Sequence, residues 1–375
     1  MMFQANFFVV LLVLIYVSEG STFWIQSTKS SPTRDYWRRA HNMSTDRMLH
    51  RSTFIDGMNM TIITGGCSAL IDAFFASNGS ITHRGDMTTT RCDHSADLLP
   101  NGLVLIAGCP VAFKSPHLTR GGGDDDNGCV ADLYDPQLGT IKRKVKMVVC
   151  RFRHTSSIIH TNHSTKVLLA GGNDGSIIAS GEVFDTKTGT FHPVNNSMPE
   201  PRAYHTSTAL PDGHVIIAGG CRNDGDCLDS LVLYNSRVNR FFPLSAHFSG
   251  QRAFHTATYI PSIESILFVC GTVFDLFDIP TLTFVANGST LQPRQEHTAT
   301  LLLDGRVLIT GGIENYGLAS CEIYDPLTNQ FTAAANMSIG RYWHTATLIQ
   351  TTGEVLVCGG RNLQGLFNSC EIYSP

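Results

Sequence analysis

One unit recurs seven times along this chain. It opens with Arg, two residues and then His: Arg47/His50, Arg91/His94, Arg151/His154, Arg202/His205, Arg252/His255, Arg294/His297 and Arg341/His344. Thr or Ser follows the His in six units, and Arg51 follows it in the first. Successive His residues lie 42 to 60 positions apart. A turn such as Asp212-Gly213 or Asp304-Gly305 comes next, then an apolar run ending in Gly, as in VIIAGG (215–220), VLITGG (307–312) and VLVCGG (355–360). An aromatic follows, often with Asp and Pro, as at Tyr134-Asp135-Pro136 and Tyr324-Asp325-Pro326. A unit this short cannot bury both of its faces alone, so seven of them must pack on one another.

Each unit reads as four short strands. HTATLLLDGRVLITGG is two apolar, β-branched runs joined by an Asp-Gly turn, which is a hairpin signal. The runs are apolar on both faces, so every hairpin must be covered on both sides. Closure is legible in the sequence as well. The last unit stops after its third strand, at Tyr373-Ser374-Pro375. Residues 37–50 (WRRAHNMSTDRMLH) match 331–344 (FTAAANMSIGRYWH), with aromatic, Met, Arg and His in register. The expectation is an all-β, seven-bladed propeller of four-stranded blades over residues 36–375, closed by an N-terminal strand that completes the last blade. A closed ring leaves no free sheet edge. Ahead of it stand a signal peptide at 1–20 and a short N-terminal segment at 21–35.

Composition narrows the function classes. The chain is 42% hydrophobic and 15% charged, with 27 Lys+Arg against 31 Asp+Glu. A net charge of −4 argues against nucleic acid as a main partner, because neutralising phosphates needs a basic surface. Residues 7–17 (FFVVLLVLIYV) are too short for a comfortable membrane span and fit a signal h-region, with Ser18 and Gly20 as the small residues before a cut. The n-region lacks Lys and Arg, and an uncleaved anchor is the rival reading. Sequons at Asn42, Asn59, Asn78, Asn162, Asn195, Asn287 and Asn336 point to glycosylation in the secretory pathway. A secreted or extracellular glycoprotein, monomeric and without a lasting membrane span, is expected.

Eleven cysteines in such a chain imply disulfides and at least one thiol left over. Cys109 and Cys129 flank one loop between second and third strands, and Cys221 and Cys227 flank its equivalent two blades on. These are the expected pairs. Cys270 and Cys358 occupy the small-residue position before the glycines and read as buried thiols. Cys321 and Cys370 share one third-strand position on adjacent blades, too far apart to bond easily. Cys67, Cys92 and Cys150 cannot be paired from sequence.

The repeat resembles the kelch motif. The resemblance rests on the Gly-Gly after the second strand, on the third-strand pattern of Glu322, Tyr324, Asp325 and Pro326, and on the length of the unit. WD40, the rival propeller repeat, is set aside because no Trp-Asp dipeptide occurs. The fifth unit departs from the motif, with Cys270-Gly271-Thr272 in place of the Gly pair, and the second has Gly108-Cys109. Resemblance implies a binding face built by loops and used mostly for protein ligands. It further implies that Arg47, Arg91, Arg151, Arg202, Arg252, Arg294 and Arg341 ring a ligand-binding mouth suited to carboxylates or sulfates. The competing account pairs each Arg with a neighbouring blade's carboxylate or with loop carbonyls; Asp132, Glu182, Asp275, Glu322 and Glu371 stand two residues before an aromatic in five blades.

Signal-bearing relatives include copper radical oxidases. That reading needs a Tyr-His pair, a second His, a second Tyr and a Cys linked to it. Tyr204-His205 is the only Tyr-His dipeptide, and His205 is simply the repeat His. The seven His are expected to be structural, since symmetry sets them too far apart to share one ion. Asp124, Asp125, Asp126 and Asn127 read as a solvated loop, not a calcium site. The reading is therefore a non-catalytic module that binds a protein or glycan, with an anionic ligand favoured by the Arg ring and with no metal and no cofactor. The alternative is a secreted propeller enzyme, either a copper radical oxidase or a carbohydrate-active one.

Overall fold

The computed structural model describes residues 35–108, 129–160 and 164–375. Over these the chain is all-β, with only two single-turn helices, Asp56–Met58 and Pro261–Ile263. The strands form seven blades arranged as a propeller. Blade 4 shows the plan: Thr206–Ala209, Val215–Ala218, Ser230–Asn235 and Arg240–His247 run antiparallel, in sequence order from the axis outwards. In blade 5 the middle two strands run together as Ser265–Asp278 and reverse at Gly271 (φ 60°), where the sequence lacks the Gly pair.

The second strand of every blade is buried on both faces, as its unbroken apolar run requires. Val215–Ala218, Val307–Thr310 and Val355–Cys358 are buried at every residue. The core is not one mass but seven clusters, one at each junction between neighbouring blades. The last junction joins Ile63 and Phe74 of blade 1 to Leu356, Cys358 and Ile372 of blade 7. Blade 7 takes its outermost strand from Tyr36–Arg39, which pairs antiparallel with Cys370–Ser374, Trp37 opposite Tyr373. The Trp37 indole donates to the Ala335 carbonyl at 2.8 Å and its ring meets Tyr373 at 5.2 Å.

The glycine pair has a packing reason. Gly219 and Gly220 have φ of 61° and 94°. A Cβ on Gly219 would lie 2.6 Å from the Arg252 carbonyl oxygen of the next blade, and one on Gly220 would lie 2.7 Å from the Ala203 carbonyl. Only glycine fits both the left-handed backbone and the contact.

The disulfides depart from expectation. Cys221–Cys227 forms. Cys129, however, pairs with Cys150, not with Cys109, which lies outside the described residues. The end of the fourth strand runs back beside the start of the third, and the Met147 amide donates to the Cys129 carbonyl, bringing the Cα atoms to 4.8 Å. The same relation in blade 1 joins Cys67 to Cys92, where the Cys67 amide donates to the Arg91 carbonyl. Cys358 is not a free thiol: it bonds Cys370, its direct register partner on the neighbouring strand. Cys270 and Cys321 are free. Four disulfides are compatible with folding in an oxidising compartment, and among the described residues no helix is long and apolar enough to cross a membrane.

Candidate functional site

The seven repeat arginines are inside the blades. Arg47, Arg91, Arg151, Arg202, Arg252, Arg294 and Arg341 are each at most 6% exposed. Six form ion pairs with a third-strand acid of their own blade: Arg47–Asp72, Arg91–Asp132, Arg151–Glu182, Arg252–Asp275, Arg294–Glu322 and Arg341–Glu371. Five of these acids stand where the sequence puts them, and Asp72, two residues before Phe74, is the sixth. Each pair lies within one blade, not across a junction. Several arginines also donate to the first carbonyl of the glycine pair, as Arg341 does to Gly359 at 2.7 Å. In blade 4 Val232 replaces the acid, and Arg202 has only the partly exposed Glu200 at 3.8 Å. Burial pulls its pKa down to about 10. A guanidinium so enclosed has no face to offer a ligand; the expected ligand ring is a set of internal staples.

The seven histidines form a second ring, nearer the axis. Each Nε2 shares a hydrogen bond with a hydroxyl of the preceding blade: His154 with Ser95, His205 with Thr155, His255 with Thr206, His297 with Thr256, His344 with Thr298 and His50 with Thr345, at 2.8 to 3.2 Å. These hydroxyls are the Ser or Thr after each repeat His. Blade 1 has Arg51 there, and Thr64 from its second strand bonds His94 instead, at 2.8 Å. Burial, helped by the adjacent arginines, pushes every one of these histidines far below the usual value; His50, His255 and His297 fall to about 3. All seven are held neutral.

A third ring went unread in the sequence. The residue just before each His has left-handed backbone, with φ between 49° and 58°: Leu49, Asp93, Arg153, Tyr204, Phe254, Glu296 and Trp343. Their amides hand on hydrogen bonds around the axis. Asp93 donates to Leu49, Arg153 to Asp93, Phe254 to Tyr204, Glu296 to Phe254, Trp343 to Glu296 and Leu49 to Trp343, at 2.9 to 3.3 Å. The scaffold therefore fixes seven equivalent backbone positions, while the side chains differ in every blade. Arg153 pairs with Asp93 at 3.3 Å and lies over the Tyr204 ring at 4.6 Å. Tyr204 meets Phe254 at 4.3 Å. Glu296 is raised to about 7, chiefly by burial, with a hydrogen bond from the Trp343 side chain opposing and the Asp93 charge adding. The signal was available: it is the one position beside the repeat His that does not repeat.

Beside this ring the innermost strands line an open cavity of about 340 Å³. Hydroxyls line it (Ser95, Thr155, Ser156, Thr206, Ser207 and Thr256), together with one cation, Arg51. Of the sequons, Asn42, Asn78, Asn195, Asn287 and Asn336 are exposed and Asn59 is partly so; Asn162 and the Asp124–Asp126 loop lie outside the described residues.

Comparisons with known proteins agree with this architecture. A family model, the Kelch motif, matches residues 297–338. No curated protein sequence matches. Among solved structures, a fungal alcohol oxidase of the AA5 family, in complex with copper, superposes with a TM-score of 0.70 at 14% identity, covering 91% of this chain and 76% of its own. This corrects the expectation that the chain is not an enzyme: its architecture is shared with an oxidase, so the fold gives that expectation no support. The described residues do not themselves fit a copper ion. His205 gives its Nε2 to Thr155, Tyr204 is stacked between Arg153 and Phe254, and no three His, Cys, Asp or Glu residues among those described come close enough to hold a metal.

Proposed function

Because the chain is a seven-bladed β-propeller whose residues 297–338 match the Kelch motif, we propose that it is an extracellular binding protein that takes a glycan at the ring formed by Leu49, Asp93, Arg153, Tyr204, Phe254, Glu296 and Trp343. The observation that carries this reading is the contrast between a repeated scaffold and an unrepeated ring. Seven backbones are held alike, and each presents a different side chain around one opening. Partly exposed Tyr204, Phe254 and Trp343 supply aromatic faces on which the apolar side of a sugar ring can lie. Partly exposed Glu296 and Arg153 supply an acceptor and donors for its hydroxyls. The signal-like N-terminus, the sequons and the four disulfides support the extracellular setting.

Glycan-array binding and titration calorimetry with the mature protein test the proposal. Trp343→Ala and Glu296→Gln are expected to weaken the best glycan by ~10-fold each, as befits loss of a stacking face or of a charge-assisted hydrogen bond. Unchanged affinity in both variants would remove the ring from the binding site. A second reading, an oxidase, is favoured by the fold shared with the alcohol oxidase. Peroxide formation from primary alcohols by copper-loaded protein would establish it.

A further inference from the structure

The channel beneath the ring breaks its own pattern in two places, in adjacent blades. The residue after the repeat His is a hydroxyl in six blades and Arg51 in the first. The third residue after it is Thr or Ser in six blades (Thr53, Ser157, Thr208, Thr258, Thr300 and Thr347) and Asp97 in the second. Both exceptions carry a cost. Arg51 forfeits the hydroxyl link to His94, which Thr64 must replace. Its guanidinium makes one hydrogen bond, from Nη1 to the His50 carbonyl at 3.2 Å, and no ion pair among the described residues. Asp93 and Asp97 both lie within electrostatic range of it, and Asp93 is already held by Arg153. Asp97 accepts from Ser156 Oγ at 2.9 Å. The two exceptions attract each other without forming an ion pair, so the guanidinium keeps donors free, and local rules broken at a cost point to function.

The hydrogen-bonding inventory identifies the ligand chemistry. Arg51 can only donate. Ser156, which lines the cavity, commits its proton to Asp97 and so can only accept; the Thr155, Thr206 and Thr256 hydroxyls each have one histidine partner and room for another. A group that both accepts and donates satisfies all of these, and a sugar hydroxyl is such a group. A carboxylate would satisfy Arg51 but would face the charges of Asp93 and Asp97. The volume of about 340 Å³ is ample for one monosaccharide unit. We propose that the channel takes one terminal, uncharged sugar residue end-on, with Arg51 donating to its hydroxyls and Ser156, positioned by Asp97, accepting from them. This rests on the glycan reading above and adds to it the mode of entry and the neutral class.

The test uses Arg51→Thr, which installs the residue that other blades have at this position, so the variant is expected to melt no lower than wild type. Probes are a panel of free neutral disaccharides (cellobiose, chitobiose, lactose and mannobiose) and glucuronate, read by ligand-observed NMR and calorimetry. The expected result is that at least one neutral disaccharide binds wild type, that Arg51→Thr weakens it ~10-fold or more, and that Asp97→Thr weakens it less. Loss of binding in Trp343→Ala but not in Arg51→Thr would overturn the channel inference while leaving the ring reading standing. Tighter binding of glucuronate than of every neutral sugar would overturn the neutral class. Binding of no saccharide by the wild-type protein would overturn the inference and the reading beneath it together.

Discussion

The buried histidine ring makes a strong demand on pH. His50, His94, His154, His205, His255, His297 and His344 are each at most 6% exposed, and all are held neutral by burial next to arginines. In the unfolded chain each has a pKa near 6.5. A neutral buried His costs nothing above that value. Below it the unfolded chain takes up protons that the folded one refuses, so stability falls as pH drops from about 6.5 towards the folded value of about 3 given for His50, His255 and His297. At pH 5 the gap is roughly 1.5 units, or ~2 kcal/mol per histidine. For His50, His255 and His297 together that is ~6 kcal/mol, already comparable with the whole stability of an ordinary domain, and the other four push in the same direction. Asp97, raised to about 6 by burial, works the other way and returns on the order of 1 kcal/mol over the same interval, and Glu296, raised to about 7, adds to it in the same direction. Urea unfolding at pH 7.5, 6.5, 6.0, 5.5 and 5.0 measures the balance. Stability should be nearly flat above pH 7 and should fall steeply below 6, and His205→Gln should lessen that slope by ~1.4 kcal/mol per pH unit. A stability that is level, or rises, from pH 7.5 to 5.0 would refute the reasoning.

Other perturbations probe the remaining layers. Gly219→Ala, which sets a Cβ 2.6 Å from the Arg252 carbonyl at a left-handed position, should cost about 2–4 kcal/mol in denaturant unfolding. Arg341→Met strands Glu371 in the interior and should cost about 3–5 kcal/mol. Arg202→Met should cost distinctly less, because its only carboxylate partner stands 3.8 Å away and partly in solvent; equal losses in the two variants would contradict the assigned pairings. Removing residues 35–43 deletes the outermost strand of blade 7 and should abolish the cooperative melt. Non-reducing peptide mapping should recover Cys129 joined to Cys150 and Cys358 joined to Cys370.

The propeller was legible because its signals are local and repeated: turn dipeptides, double-faced apolar runs and the offset match of residues 37–50 with 331–344. What escaped depended on which strands become neighbours. Cys150 sits just before the repeat Arg of blade 3, yet pairs back to Cys129, because the fourth strand returns antiparallel beside the third. Cys358 and Cys370 are 12 residues apart and face each other only once the register of that hairpin is set. The seven arginines drew attention by recurring, although recurrence marks what the scaffold needs, and a side chain serving every blade alike pairs inside every blade. The residues proposed here for recognition, Glu296 and Trp343 at the ring and Arg51 and Asp97 below it, stand at positions where the repetition fails. Their importance shows only when seven backbones are seen to converge on one axis.

The clasp of the seventh blade also sets a timetable. Tyr36–Arg39 is among the first parts of the propeller to leave the ribosome, yet its partner, Cys370–Ser374, is among the last. The Tyr373 hydroxyl donates to Asp35 across 338 residues of chain. Bringing such distant segments together in an otherwise open chain would cost on the order of 5 kcal/mol of entropy. Stacking of the intervening blades, each built from near neighbours in sequence, removes most of that cost by carrying the two ends round to meet. During synthesis the early strand must therefore wait with its backbone unpaired, a period in which a chaperone or a second nascent chain can compete for the same edge.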